Sequence, residues 1–407
     1  MSYKLFEVFG VELEYMIVDR QSHKIRPIAD QIFMETTGTY TSDYDNGDIA
    51  WSNELVSHVV ELKTNGPVKS MEAVLNGFHQ NIREINKILE KHQAILMPGG
   101  AHPTVDPLTE TQIWPHEHNE IYELYNRIFN CKGHGWSNLQ STHINLPFQG
   151  DEEFKRLHSA IRALLPIIPA LSASTPILDG KLTGFKDTRL EYYRKNQAKI
   201  PIIAGLVIPE SVYSHADYHS QIFVPIQDAI RPFDTHGILD HHFLNSRGAI
   251  ARFDRGAIEI RIIDNQEAPK VDIALLCLFV EVLKDLCQLE GQDAIRLQSL
   301  KTDALAKQFL AVIQHGEKAQ IEYPELAEIF GFSNSAGSLV ELWEQLYARY
   351  KSTLSGAIQE TIEFILKEGS LATRMEKVFG KHPDLEGIRA INQQMIDCLD
   401  NNIMFKG

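Results

Sequence analysis

Residues 10–18 carry the sequence GVELEYMIV, an apolar run that contains two glutamates two positions apart, Glu12 and Glu14. Successive side chains of a β-strand point to opposite faces, so these two carboxylates share one face of a predicted strand. A solvated face of an edge strand is the simplest interpretation. The adjacent Gly10, which lets a ligand approach the backbone closely, favours a binding site instead.

Two later stretches repeat this spacing: STHINLPF at residues 141–148 and AIEIRIID at residues 257–264. The polar residues that they contribute are His143, Asn145, Glu259 and Arg261. Taken singly, the histidine could be an ordinary core residue and the Glu–Arg pair an ion pair between strands. Burying charges on a sheet is costly unless they pair or bind a metal. Three such pairs in one chain therefore indicate one shared site.

A further glutamate, Glu61, lies deep in the apolar stretch ELVSHVVELKT at residues 54–64. Glu54 stands at the start of the same predicted strand, so we rank Glu61 above it as a site residue. A single glutamate in a strand is usually just exposed, which is the alternative here. Paired carboxylates are suitable oxygen ligands for Mg²⁺, which also keeps waters and substrate phosphates.

The chain of 407 residues has a formal net charge of -15. This acidity argues against general binding to nucleic acid or to an anionic membrane surface. Against this background a group of arginines stands out: Arg247, Arg252, Arg255 and Arg261. Such a cluster favours an anionic ligand, and the guanidinium geometry suits phosphate.

Other common chemistries lack their motifs in this sequence. It contains no GxxxxGK[ST] loop, no GxGxxG turn, no HExxH and no GxSxG. Its 4 cysteines form no CxxC pair, and no apolar run is long enough to cross a bilayer. With no signal-peptide pattern at the N-terminus, we expect free thiols and a cytoplasmic protein.

Hydrophobic periodicity outlines the elements of the fold. Strands are predicted at residues 5–18, 54–64, 94–97, 139–147 and 249–264, the last as a hairpin turning at 254–256, after a turn-rich stretch at 37–48. Helices are predicted at residues 70–92, 117–130 and 152–172, with a kink from Pro166 and Pro169. From about residue 270 we expect mostly helix, broken near Gly316, Pro324, Gly337 and Pro383.

This order of elements predicts an α+β fold, an antiparallel β-sheet cradle flanked by helices. We expect a catalytic core at residues 1–290. A helical C-terminal part at residues 291–407 should pack on this core as one structural domain.

The motifs, in this order, resemble glutamate–cysteine ligase family 2, the carboxylate–amine ligases related in fold to glutamine synthetase. The matching segments are GVELEY (10–15), ELVSHVVELKT (54–64), PGGAHP (98–103), STHINL (141–146), LSASTPILDGKLTGFKDTR (171–189), AIEIRIID (257–264) and GSLATRM (369–375). They run over nearly the whole chain. The resemblance rests on LSASTPILDG together with the ordered strand motifs, since no single motif is specific.

The resemblance implies that ATP and Mg²⁺ (or Mn²⁺) bind on the inner face of a glutamine-synthetase-like cradle. It implies that a carboxylate, foremost the γ-carboxylate of glutamate, is phosphorylated and then attacked by an amine such as cysteine, as in glutathione biosynthesis. The metal ligands that it implies are Glu12, Glu14, Glu61, His143 and Glu259. The implied catalytic contacts to phosphate or substrate carboxylate are Arg261, Arg189 and Arg252, and the implied nucleotide contacts are Asn145, Arg261 and Glu61.

The sequence departs from the family at two positions. Many members carry a second histidine where this chain has Asn145, and a third acidic residue where it has Leu13. Because Leu13 belongs to the other face of its predicted strand, we expect little effect there, whereas Asn145 bears on nucleotide or amine contacts.

Two alternatives stay open: the same chemistry with a different acid or amine, and a non-catalytic nucleotide-binding relative. The intact set of glutamates, histidine and arginines argues against the second, because a pseudoenzyme is expected to lose ligands. The expected partners are a small-molecule acid and amine, with neither nucleic acid nor membrane. The oligomeric state is open, a homo-oligomer included.

Overall fold

A computed structural model describes residues 3–332, 337–380 and 384–407. Within them the strands are β1 (Gly10–Asp19), β2 (Asp43–Asn46), β3 (Ile49–Asn53), β4 (Val59–Thr64), β5 (Ala94–Met97), β6 (Ser141–Pro147), β7 (Ile177–Leu178), β8 (Lys181–Leu182), β9 (Ala249–Arg252) and β10 (Ala257–Asp264).

The helices of the first two thirds of the chain are α1 (Ala29–Thr37), α2 (Met71–Leu89), α3 (Pro107–Glu110), α4 (Asn119–Phe129), α5 (His134–Ser137), α6 (Gly150–Leu164), α7 (Pro169–Ser172), α8 (Thr188–Tyr193), α9 (His215–Tyr218), α10 (Val224–Ile230), α11 (His241–Leu244) and α12 (Pro269–Cys287). Those that follow are α13 (Gly291–Gln298), α14 (Thr302–His315), α15 (Pro324–Ile329), α16 (Leu339–Tyr350), α17 (Gly356–Glu368), α18 (Leu371–Phe379) and α19 (Leu385–Asn401).

The central sheet has the strand order β2-β3-β4-β1-β6-β10-β9, and β5 also pairs with β1. Neighbouring strands are antiparallel, as the sequence predicts. β1 lies at the centre because it pairs with β4 along one edge. Along its other edge it pairs with β6 in its first half and with β5 in its second half. The three strands that carry the paired polar residues, β1, β6 and β10, are thus adjacent.

One face of the sheet is covered by helices. Val11 and Leu13 of β1 are fully buried and belong to the same apolar core as Phe78 of α2 and Leu283 of α12. The alternation of side chains along β1 then turns Glu12 away from this core. The covered face explains why the polar residues gather on the other one.

Several strand boundaries differ from the prediction. The strand predicted from residue 5 begins only at Gly10. The predicted strand at 54–64 is wrong in its first half, because β4 begins only at Val59. Residues 54–58 instead bond to the segment around residue 113: Ser57 N donates to Gln112 O at 2.9 Å, and Trp114 N donates to Leu55 O at 3.0 Å. The stretch predicted as turns contains β2, and β3 follows it.

The helical C-terminal part contacts the preceding helices directly. Trp343 Nε1 of α16 donates to Ile167 O at 3.0 Å, and its ring lies 5.4 Å from that of Phe279 in α12. The breaks predicted near Gly316, Pro324 and Gly337 are confirmed, and the one near Pro383 lies outside the described residues. The division at residue 290 stays a prediction. Among the described residues, no helix combines the length and apolarity that a bilayer crossing requires.

The C-terminal motif GSLATRM is anchored by a buried ion pair. Arg374 Nη1 lies 2.5 Å from Glu267 Oε1 and also donates to Phe405 O. Phe405 N donates to the same glutamate oxygen at 3.0 Å. The arginine thus ties the end of the chain to the segment that follows β10, away from the open face of the sheet.

Two buried histidines make the fold sensitive to acid. His102 donates from Nε2 to His23 O at 2.7 Å and accepts Thr104 N–H at Nδ1, so the neutral ring satisfies both nitrogens. Burial lowers the pKa of His102, and likewise of His58, from 6.5 to about 4. As the pH falls, the unfolded chain binds these protons near pH 6.5, before the folded protein does near pH 4. The free energy of unfolding should therefore fall as pH drops from 6.5 towards 4, by up to about 1.4 kcal/mol per pH unit for each histidine.

Urea unfolding at pH 7, 6 and 5 measures this slope. His102→Gln should make the slope shallower, whereas the same change at the exposed His236 should leave it unchanged. Equal slopes for His102→Gln and the unaltered protein would contradict this account.

Candidate active site

Polar side chains from four adjacent strands share the open face of the sheet. The residues that lie opposite one another are Glu12 with Lys63 and His143, Glu14 with Glu61, and Asn145 with Gly10 and Glu259. These residues and Arg261 line one cavity of about 1060 Å³. The structure therefore brings the five predicted metal ligands together with Asn145 and Arg261.

The first cluster in this cavity consists of Glu12, His143 and Glu259. One ligand atom from each lies within 4.8 Å of the others, and His143 Nδ1 is 3.0 Å from Glu12 Oε2. Asn145 Nδ2 donates to the other oxygen of Glu12 at 2.9 Å. Arg261 Nε lies 2.7 Å from Glu259 Oε1. Asn145, the departure from the family pattern, thus contacts a predicted metal ligand directly.

Electrostatics within this cluster favour ionised partners. Burial alone would raise the pKa of Glu12, but the bond from His143 and the charges of Arg261 and Lys63 outweigh it and lower that pKa to about 2. Burial opposes charge on His143 too, and its carboxylate neighbours overcome this and raise its pKa above 6.5. The carboxylates around His143 thus favour positive charge on its ring.

The second cluster consists of Glu14, Glu61 and His143, again with ligand atoms within 4.8 Å of one another. Ser141 N donates to Glu14 Oε2 at 2.7 Å, and Ser52 Oγ donates to Glu61 Oε1 at 2.7 Å. His143 belongs to both clusters and so joins them.

Negative charge is in excess around this second cluster. Burial and the charge of Glu12 raise the pKa of Glu61 to about 7. Burial, Glu14 and Glu61 likewise raise the pKa of Glu54 well above 4.5. Glu54 lines the same cavity from the loop before β4. The sequence analysis ranks Glu54 below Glu61 because Glu61 lies deeper in the apolar stretch. The structure brings Glu54 beside the cluster through the course of residues 54–58 before β4.

The donors of the two clusters fit divalent metal ions. Mg²⁺ and Mn²⁺ prefer carboxylate oxygens as ligands. Imidazole, which His143 offers, is a more usual ligand of softer metals. The raised pKa values of Glu54 and Glu61 mark buried carboxylates that lack enough positive charge nearby. A bound cation would supply that charge. The roles of these residues as ligands remain predictions.

The predicted arginines fall into two groups. Arg261, Arg252 and Arg255 line the cavity, and Arg252 is ion-paired with Asp254 at 3.0 Å. Arg247 does not line it: its guanidinium is buried against Glu210, with Nε 2.5 Å from Oε2. The sequence suggests one anion-binding cluster of four arginines. The structure reduces it to three, because Arg247 forms an ion pair with Glu210 outside the cavity.

Arg189 borders the cavity from α8 and is almost fully buried. Its Nε donates to Asp264 at the end of β10, and Asp264 also accepts from Ser174 N at 2.8 Å. Among the described residues, Nη2 of Arg189 has no hydrogen-bond partner. Asp264, which sequence reasoning did not single out, therefore holds Arg189 in place at the edge of the cavity.

The cavity has two chemically different ends, set by the direction of β6. Ala257 pairs with Pro147 at the end of β6, so the hairpin with Arg252 and Arg255 lies there. Asp264 pairs with Ser141 at its start. At roughly 3.3 Å per residue, these two ends lie about 20 Å apart. One end therefore holds Arg252 and Arg255, and the other holds Arg189, Arg261 and the carboxylates of the second cluster.

The antiparallel sheet with carboxylates, a histidine and an arginine on its open face is the arrangement that the ordered motifs predict. The chain belongs to glutamate–cysteine ligase family 2, whose sequence profile matches residues 8–386. The predicted family and the predicted fold class are confirmed.

Individual relatives agree with this assignment. An uncharacterised protein of Archaeoglobus fulgidus is 31% identical over 401 residues, which cover 98% of this chain and 100% of that protein. A Roseiflexus sp. (strain RS-1) protein, provisionally named glutamate–cysteine ligase 2, is 25% identical over 222 residues, 52% of this chain and 51% of that one.

A solved structure shares the fold. The glutamate–cysteine ligase of Francisella tularensis, in complex with AMP, superposes with a TM-score of 0.61 over 98% of this chain and 90% of that chain, at 12% identity.

Proposed function

We propose that this protein is an ATP- and Mg²⁺-dependent carboxylate–amine ligase. It activates the γ-carboxylate of glutamate as an acyl phosphate, which an amine such as cysteine then attacks. The observation that carries this proposal is the pair of ligand clusters that share His143 beside Arg261. Membership of the family supports glutamate and cysteine as the first substrates to test.

The two ends of the cavity suggest how the substrates lie. Phosphate groups suit the end with Arg252 and Arg255, and Glu12, His143 and Glu259 would hold a metal ion between that end and the middle of the sheet. Glu14 and Glu61 would hold a second ion nearer the acid, since a neutral imidazole offers one ring nitrogen to one metal ion. Bound Mg²⁺ would neutralise charge on the phosphate oxygens. Arg189 would contact a carboxylate of the acid.

The chemistry needs two displacements. A carboxylate oxygen of the acid forms a bond to the terminal phosphorus of ATP while the bond to the leaving oxygen of ADP breaks. The amine nitrogen then attacks the acyl carbon, the carbon–oxygen bond to phosphate breaks, and the nitrogen loses a proton to a cavity carboxylate. Arg261 is positioned to stabilise charge on the transferring phosphoryl group, whose transfer depends on positioning and charge neutralisation.

A covalent acyl-enzyme is disfavoured by the state of the thiols. Burial raises the pKa of each cysteine to about 12, so these thiols are protonated and weakly nucleophilic; they are Cys131, Cys277, Cys287 and Cys398. None of the four is among the residues that line the cavity. Direct transfer of the phosphoryl group to the acid requires no such nucleophile.

Isotope transfer tests this route. Glutamate labelled with ¹⁸O in its γ-carboxylate should pass one labelled oxygen to inorganic phosphate when an amine is supplied, and mass spectrometry of the phosphate detects it. Formation of AMP and pyrophosphate would instead indicate adenylation and refute the acyl phosphate. ADP release with another acid, and none with glutamate, would remove the substrate assignment alone.

Metal removal gives a second test. Turnover of ATP should stop with excess EDTA and return with Mg²⁺ or Mn²⁺, because the clustered carboxylates need cations before a polyphosphate can approach. Coupled measurement of ADP release follows this directly. Full activity after exhaustive metal removal would refute the metal role of both clusters.

A further inference from the structure

Two consecutive histidines and an aspartate at the start of α11 form a group that we term the α11 cluster: Asp240, His241 and His242. One ligand atom from each lies within 4.8 Å of the others. None of the three is among the residues that line the cavity of the two carboxylate clusters. The α11 cluster is therefore a separate group of possible metal ligands, which the ligase chemistry does not use.

Neighbouring side chains hold both imidazoles of the α11 cluster in place. The buried ring of Phe223 lies 4.5 Å from the ring of His241 and 4.9 Å from that of His242. Gln227 Nε2 of α10 lies 2.8 Å from His241 Nδ1. The amide oxygen of Gln227 can equally accept a proton from that nitrogen, and metal-ligating histidines commonly have such a partner on the nitrogen that does not bind the ion. The contacts thus resemble the surroundings of a metal ligand.

The second histidine of the cluster carries a polar atom that the fold leaves unsatisfied. His242 Nδ1 is buried and, in the part of the chain that the structure describes, has no hydrogen-bond partner. Such atoms are costly and uncommon in native proteins, and a bound ion removes the cost. Burial, together with the charge of His242, lowers the pKa of His241 below 6.5 despite the opposing charge of Asp240. Its ring is therefore neutral at pH 7 and offers a lone pair.

The donor set indicates which class of ion fits. The α11 cluster has two imidazoles and one carboxylate, the reverse of each carboxylate cluster in the cavity. Imidazole suits Zn²⁺ and its neighbours in the transition series, whereas Mg²⁺ prefers oxygen. Zn²⁺ takes four ligands, one of which is often water. His219, exposed between α9 and α10, lies near enough for its charge to act on His241 and offers a fourth donor.

We propose that Asp240, His241 and His242 bind one divalent transition-metal ion of the Zn²⁺ class, at a site separate from the Mg²⁺ site of the ligase. A water molecule or His219 completes the coordination. The ion would hold α11, whose Phe243 lines the cavity, against α10. This inference does not rest on the ligase function, because it concerns binding alone.

Calorimetric titration of the full chain with ZnCl₂ tests the proposal, after treatment with EDTA, desalting and addition of excess Mg²⁺. The variant with both His241→Gln and His242→Gln should bind one Zn²⁺ fewer per chain than the unaltered protein. Asp240→Asn should weaken that same binding event by at least about tenfold, since even the loss of an outer partner of a ligand costs about 10–100-fold in affinity. Asparagine caps a helix as well as aspartate does, so this change leaves the start of α11 intact.

Controls separate the site from general binding to histidine. His236→Gln, at an exposed histidine a few residues earlier, should leave the number of bound Zn²⁺ ions and their affinity unchanged. Circular dichroism of each variant confirms folding. Equal stoichiometry and affinity in the double variant and the unaltered protein, including the absence of Zn²⁺ binding in both, would overturn the proposal. ADP release plays no part in this measurement, so its outcome and that of the ligase tests are independent.

Discussion

Arg261→Lys should lower the turnover number about 10²–10³-fold, by analogy with the loss of one donor to a developing charge. Arg261 lies in the cavity with Nε against Glu259, which leaves the other guanidinium nitrogens for an anion. Lysine keeps the charge but loses the planar fork, so the change is not conservative at such a site. The carboxylates of Glu259, Glu12 and Glu14 raise the pKa of Arg261 against the effect of burial, so it stays charged at any working pH.

Steady-state ADP release measures this effect, with circular dichroism to confirm folding. Arg231→Lys is the matched control, because Arg231 is exposed and pairs only with Asp228 among the described residues. An unchanged turnover number in Arg261→Lys would place this arginine outside the active site.

Glu61→Gln should have opposite effects on activity and stability. Loss of a predicted metal ligand should lower turnover by about 10²-fold or more, since a metal ion contributes several kcal/mol of charge stabilisation. The metal-free protein should become more stable. Burial and the charges of Glu12 and Glu14 raise the pKa of Glu61 to about 7, so ionising this carboxylate costs more in the folded protein than in the unfolded chain.

The sign of the pH dependence follows from this pKa. As pH rises from 4.5 to about 7, the unfolded chain loses this proton and the folded protein retains it, so the folded state loses stability. The advantage of Glu61→Gln should therefore be small at pH 5 and reach about 1–3 kcal/mol at pH 8. Urea unfolding in EDTA at both pH values measures it. Glu344→Gln, at an exposed position on α16, is the control, and an equal or larger gain at pH 5 would contradict the assignment.

Opposite effects of this kind would indicate that the site is organised for a cation. Carboxylates held together in a buried cavity destabilise the metal-free fold, and such stored repulsion is typical of functional sites. The same reasoning favours an active ligase over a non-catalytic relative. If the protein bound no cation, replacement of these glutamates by neutral residues would increase its stability.

Much of the site was predictable from local spacing. The alternation of side chains along a strand places Glu12 with Glu14 and His143 with Asn145, whatever the rest of the fold does. Leu13 must then face the core, where it is fully buried. The hairpin at residues 249–264 also follows from local signals, and in the structure Arg252 pairs opposite Ala257 across its turn.

Other features depended on contacts that no local pattern records. Glu54 reaches the carboxylates because Leu55 and Ser57, which follow it, bond to the segment near residue 113 before β4 begins. Arg247 leaves the predicted cluster because it meets Glu210, and Arg189 is oriented by Asp264. Each of these partners is distant in sequence, so the pairing is decided by how the chain packs.

The sequence by itself determined which residues share a face within each strand. Only the tertiary structure decided that β6 lies between β1 and β10, which joins three separate pairs into two clusters around His143. It also decided that Glu54 lines the same cavity as these clusters. The physical reason is that side-chain direction is a local consequence of backbone geometry, whereas strand order and loop course depend on burying the apolar face of the whole sheet.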